Sequence, residues 1–302
     1  MNKLPDEVIE IIDLYVGFVP KSKKELEEAL DLYCKNKKEA IEKYGEISNW
    51  DTVLITDMSE LFLKRFQFNE NINNWNVSNV INMEKMFCFA NSFNQPLNNW
   101  NVSNVKNMEY MFSNANSFNQ NINDWNVSNV RNMREMFSHS SLFNKSLNNW
   151  DVSNVKNMRG MFAFCNNFSN DSLNAWNVSN VKNMSGMFYS CDKFNSALNN
   201  WDVSNVKNMS GMFCNCHVFN KYLNTWNVSN VRNMHSMFYN CYIFNQSLNN
   251  WDVTNVENMN MMFFRCSNFN LKGNLLNKFL LRITGSVITA RMFRSWFTGL
   301  YS

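Results

Sequence analysis

The stretch "NWNVSNVKNMEYMFSNANSFNQNIND", Asn99 to Asp124, is followed at once by "DWNVSNVRNMREMFSHSSLFNKSLNN", Asp124 to Asn149. The second repeats the first almost residue for residue, and a fixed internal period outranks any estimate of domain number from length. Trp50, Trp75, Trp100, Trp125, Trp150, Trp176, Trp201, Trp226 and Trp251 mark nine such units. Each is 25 residues long, except that the unit containing "FSNDSL" has one residue more. An insertion that leaves the register intact belongs in an exposed loop.

Counting from each Trp, the apolar positions are +2, +5, +8, +11, +12, +18 and +22, with a small residue at +15. In the unit at Trp100 these are Val102, Val105, Met108, Met111, Phe112, Phe118 and Ile122, with Ala115 as the small one. Met108, Met111 and Phe112 stand at i, i+3 and i+4, which predicts a short helical turn. "NINDW" and "SLNNW" alternate apolar and polar residues, which predicts a short strand. One unit cannot bury so many large side chains alone, so neighbouring units must stack. The expectation is an α/β repeat solenoid with one short strand and one short helical turn per coil.

Asn recurs at +4 and +7 in every unit from Trp75 onward, and at +19 nearly throughout, with Ser169 as the exception. An amide offers two donors and two acceptors, which suits structural ladders that bond the coil and its neighbour. Position +1 alternates between Asn and Asp, as in Asn101 and Asp151. Asp cannot carry a glycan, so the recurrent "NVS" is read as an Asx-turn or cap and not as a glycosylation site.

The pattern W-[ND]-V-[ST]-N-V-x-N-M-x-x-M-F-x-x-[CAS]-x-x-F-N resembles the 25-residue repeat of the BspA-like leucine-rich-repeat family, over residues 50 to about 270. That family occurs in bacterial surface proteins, mycoplasmas, protists and giant viruses. The resemblance implies a leucine-rich-repeat-like solenoid that acts in protein recognition or adhesion, and a giant-virus type of chain.

A terminal coil exposes its core face unless something covers it. Residues 21–49 supply a helical N-terminal cap: Ser22 and Glu25 form a capping box ahead of Leu26, Ala29, Leu30 and Tyr33. Asn36 and Glu39 start a second helix that carries Ala40, Ile41 and Tyr44 and ends at Gly45. Residues 1–20 form a further helix, with Pro5 in its first turn and Val8, Ile12, Tyr15 and Val16 on one face. This opening also resembles the start of an F-box, which implies docking of the linker subunit of a cullin ubiquitin ligase through Leu4, Pro5, Val8 and Ile12. The repeats occupy 50–275, and 276–302 are a divergent tail or cap in which Trp296 is out of register.

Net charge is +3, too small to name a polyanionic partner. No apolar run spans a membrane, and the N-terminus lacks the basic start and cleavage site of a secretory signal, so the chain reads as intracellular, in host cytoplasm if it is viral. Cys165, Cys191, Cys216, Cys241 and Cys266 share position +15 with Ala90, Ala115 and Ser140, which marks a packing column instead of a disulfide or metal framework. The three histidines, His139, His217 and His235, occupy different repeat positions, and no catalytic constellation or cofactor motif emerges.

Position +6 is the one column that packing does not account for. Lys106, Arg131, Lys156, Lys182, Lys207 and Arg232 are six successive cations, preceded by Ile81 and followed by Glu257. They form a candidate partner-binding stripe for an acidic protein, with nucleic acid a poor second choice for want of interleaved exposed aromatics. Positions +9, +10, +13, +14, +20 and +21 differ freely between units, and such surfaces are where a stack of repeats stores specificity.

Overall fold

Each repeat closes its coil with a chain of tight turns. The computed structural model describes residues 17–169 and 171–269. In the unit at Trp100, amides bond carbonyls three residues back: Val105 to Val102 at 2.9 Å, Met111 to Met108 at 3.2 Å, Ala115 to Phe112 at 3.0 Å and Phe118 to Ala115 at 3.0 Å. Between these turns the chain takes left-handed backbone at +10 and +14, with φ 55° at Tyr110 and 58° at Asn114, and the same two positions are left-handed in all nine units.

The expected helical turn over "MEYMF" is therefore absent, and the reason lies in where its amides go. A helix uses each N–H on the carbonyl four residues back. Here alternate N–H groups leave the coil: Met108 donates to Asn132 O, Tyr110 to Arg134 O, Phe112 to Met136 O and Asn114 to Ser138 O, at 2.8 to 3.0 Å. Left-handed residues at +10 and +14 reverse the local winding before a helix can propagate.

The strand expected at "NINDW" is likewise a turn, closed by Trp125 N to Ile122 O at 3.2 Å. Its apolar alternation reflects two side chains turned inward at the corner. Pairing between coils falls instead at +7, where single parallel bridges run from Asp57 to Asn82 and onward to Asn258, eight bridges joining nine coils. Among the described residues the repeats hold no α-helix and no strand longer than one bridge residue. The leucine-rich-repeat-like coil of strand plus helical turn is corrected accordingly.

The core is the set of apolar columns named by the register. Val102, Val105, Met108, Met111, Phe112, Ala115, Phe118 and Ile122 are all at most 1% exposed. Each buried aromatic or aliphatic side chain contributes roughly 1.5–3 kcal/mol relative to exposure. Rings stack both within and between coils: Phe112 lies 3.9 Å from Phe118 and 5.7 Å from Phe137 of the next coil, centroid to centroid. The indole of Trp125 donates to Leu97 O, one coil back, at 3.0 Å. This bond recurs from Trp75 to Trp251, so the largest core residue also fixes the spacing of the stack.

The asparagines divide into two kinds. Asn129 Nδ2 donates to Ser103 O at 2.7 Å, and Asn119 N donates to Asn94 Oδ1 at 3.0 Å, so +4 and +19 are ladders between coils. At +1, Asn101 and Asp151 accept the amides of Ser103 and Ser153, which is the Asx-turn that either residue makes. Position +7 also makes an Asx-turn within its own coil, as in Asn107 Oδ1 with Glu109 N at 3.1 Å.

Helices α1 (Lys23–Lys35) and α2 (Lys37–Tyr44) pack on the first coil. Ser22 Oγ accepts Glu25 N at 3.2 Å, and the Glu25 carboxylate reaches back to Lys21 N, one residue earlier than in a standard capping box. Leu26, Ala29, Leu30, Tyr33 and Ala40 are buried against Trp50 and its neighbours. Lys23 Nζ reaches Asp57 and Ser59, and Arg65, at the position where later coils carry a small residue, pairs with Asp31 at 2.7 Å. The extra residue of the unit at Trp150 falls beside a 3-10 turn, Asp171–Ala175.

Candidate functional site

The six cations of position +6 come together in single file. Lys106 N donates to Ile81 O, Arg131 to Lys106, Lys156 to Arg131, Lys182 to Lys156, Lys207 to Lys182 and Arg232 to Lys207, each at 2.9 Å. The side chains are all exposed. Among the described residues Lys106, Arg131, Lys156, Lys182 and Lys207 have no ion pair, and only Arg232 meets a carboxylate, Glu257 at 2.6 Å. Like charges one coil apart, about 5 Å, repel by just under 1 kcal/mol per pair in water before screening.

Beside the column, the face carrying +9, +10, +13 and +14 opens into a groove of about 930 Å³ that runs from Glu135 to Met261. Its floor is Gly160, Gly186 and Gly211, three consecutive units with glycine at +10, where φ is 58° to 61°. Glycine is the least strained residue there, yet Glu60, Lys85 and Tyr110 hold the same backbone at the same repeat position. A Cβ on Gly186 would meet Tyr189 at 3.8 Å, and one on Gly211 would meet Tyr189 at 3.6 Å and Cys214 at 3.9 Å, all ordinary contacts, so the vacant space at these two positions is not enforced by crowding. At one end the Glu135 side chain lies over Gly160 and accepts from the Tyr110 hydroxyl at 3.2 Å, with Arg134 at 3.4 Å and Arg159 at 4.0 Å. Phe164, Tyr189 and Tyr239 line the side at +13 and +14.

Burial lowers the His139 pKa, with Phe164 stacked on its ring at 4.1 Å, and raises the Cys214 thiol to about 11. Cys214 is thus a neutral thiol at physiological pH. Full burial pushes up the thiols of Cys165, Cys191, Cys216 and Cys241, and every +15 thiol donates to a carbonyl one coil back, as Cys216 does to Phe188 O at 2.9 Å. Among the described residues no group of three His, Cys, Asp or Glu side chains could hold a metal ion. None of the described helices is long and apolar enough to cross a membrane.

Sequence reasoning assembled the basic column but named the groove only as variable positions. Its signal was present in Gly160, Gly186 and Gly211 at one register position, with Ser185 and Ser210 at the position before it. Leu4, Pro5, Val8 and Ile12 lie outside the described residues, as does the tail from 270 onward.

Nine copies of one unit, bonded each to the next, define a repeat protein without a recognisable catalytic centre among the described residues. The model of a Mycoplasma protein family of unknown function, DUF285, matches residues 33–150, 121–213 and 188–279, and the chain belongs to that family. No curated protein matches it.

Proposed function

We propose that the protein is a non-enzymatic recognition scaffold whose basic column engages an acidic segment of a partner protein. The observation that carries this reading is the column itself: six consecutive exposed cations on one backbone ladder, five of them without an ion pair among the described residues. The inward columns of the repeats are used in building the stack, so the exposed and unpaired side chains are what remains for recognition. Eight free cysteines, seven of them buried, support a reducing, intracellular setting.

Changing Lys156, Lys182 and Lys207 together to Glu tests the reading. Binding of a labelled dodecaglutamate peptide, followed by fluorescence anisotropy at low salt, is expected to be lost while the thermal midpoint stays within a degree or two of wild type. Unchanged affinity would show that the column is only a solvated face.

A further inference from the structure

In the early coils, the carboxylate at +9 of one unit occupies the amide at +7 of the next. Asn107 Nδ2 donates to Glu84 Oε2 at 3.3 Å, and Asn132 Nδ2 donates to Glu109 Oε2 at 2.6 Å. Further along, position +9 changes character, to Arg159, Ser185 and Ser210. The amides that follow them keep their Asx-turns, since Asn183 Oδ1 accepts Ser185 N at 3.0 Å and Asn208 Oδ1 accepts Ser210 N at 2.9 Å. Those bonds fix which way each amide faces: with Oδ1 held by the backbone, Nδ2 must point away from the turn. Among the described residues neither Asn183 Nδ2 nor Asn208 Nδ2 has a partner, and both asparagines line the groove.

We propose that an extended acidic segment of a partner protein lies along this groove, its carboxylates on Asn183 and Asn208 where Glu84 and Glu109 serve the earlier coils. The proposal rests on the acidic-partner reading of the basic column and adds the site, register and donor set. The chain itself demonstrates the chemistry, because the same amide at the same repeat position twice binds a carboxylate. Charge agrees: at +9 the carboxylates of Glu84 and Glu109 give way to Arg134 and Arg159, and Arg159, half exposed beside Glu135 at 4.0 Å, places a cation at the end of the groove. The basic column lies one residue before these asparagines, at Lys182 and Lys207. Size agrees as well. From the unit of Glu135 to that of Met261 there are five coil spacings, about 24 Å at about 4.8 Å each, which is the span of roughly seven extended residues. Over the glycine floor a peptide backbone can approach closely, and Tyr189 and Tyr239 give its apolar side chains a wall.

Two groove variants test the proposal against the same dodecaglutamate probe, with dodecaglutamine as the uncharged control. Gly186→Asn with Gly211→Asn fills the floor without altering charge, at positions where asparagine tolerates the left-handed backbone. Asn183→Ser with Asn208→Ser removes both Nδ2 donors without altering charge, while a serine hydroxyl still accepts the backbone amide of the turn. Each pair is expected to weaken dodecaglutamate binding at least tenfold with the thermal midpoint retained; should the glycine pair fail to fold, the asparagine pair decides. Wild-type affinity in a folded groove variant, with binding lost only in the Lys156, Lys182 and Lys207 variant, would overturn the groove and leave the column reading standing. If wild type binds dodecaglutamate no better than dodecaglutamine, both fall. Tighter binding of a twelve-nucleotide oligothymidylate than of the peptide would overturn the peptide assignment in favour of a nucleic-acid surface.

Discussion

At the scale of single residues, the column at +15 shows how a side chain can be tolerated in several forms. Cys216 Sγ donates to Phe188 O, but that carbonyl already accepts Cys191 N at 3.1 Å. Losing the thiol therefore leaves no orphaned acceptor, which is why Ala90 and Ala115 stand at the same position. Cys216→Ala is expected to cost less than about 1 kcal/mol. Phe213→Ala should cost about 3–5 kcal/mol, because its ring is fully buried between Phe188 and Phe238, at 5.8 and 5.6 Å. Urea denaturation of the two variants measures the difference, and similar midpoints would contradict the core assignment. The inward residues were legible in the sequence because burial repeats with the register. The division of labour among the asparagines was not. Asn104 and Asn107 are three residues apart and chemically identical, and only the neighbouring backbone decides that one donates to a carbonyl of the previous coil while the Oδ1 of the other closes its own turn.

At the scale of the element, spacing alone misled. Met108, Met111 and Phe112 fit one face of a helix, but a pair of tight turns also returns the chain to the same side every three or four residues. What separates the two is the sign of φ at Tyr110 and Asn114, and neither residue type announces a left-handed backbone as glycine would. The glycines at +10 in three units were the available clue. Ser236, at +10 with φ 54°, provides a test by sign. In a left-handed position Ser236→Gly removes strain and should stabilise the protein by roughly 0.5–1 kcal/mol. In a helical turn the same change would destabilise it by a similar amount. The denaturation midpoint of this one variant reads the sign. The cap helices were more legible, since Ser22 and Asn36 both bond the third residue of their helices as caps do.

Across the whole molecule, coils are coupled through backbone bonds, stacked rings and amide ladders to the coil before and the coil after. A stack of this kind stores stability as a sum of units and of interfaces between neighbours. Its function then follows from which columns the repetition leaves unpaired, and that depends on the coils standing in sequence order with every register position in line. The direct measurement is a pair of double-mutant cycles by urea denaturation. Phe137 and Phe162 stack at 5.7 Å in adjacent coils, whereas Phe87 and Phe213 hold the same position five units apart. Replacing each by leucine should give a coupling energy of about 0.5–1.5 kcal/mol for the adjacent pair. The distant pair should be additive to within about 0.5 kcal/mol. Equal coupling in both pairs, or none between Phe137 and Phe162, would contradict a stack in which each coil is held by its neighbours.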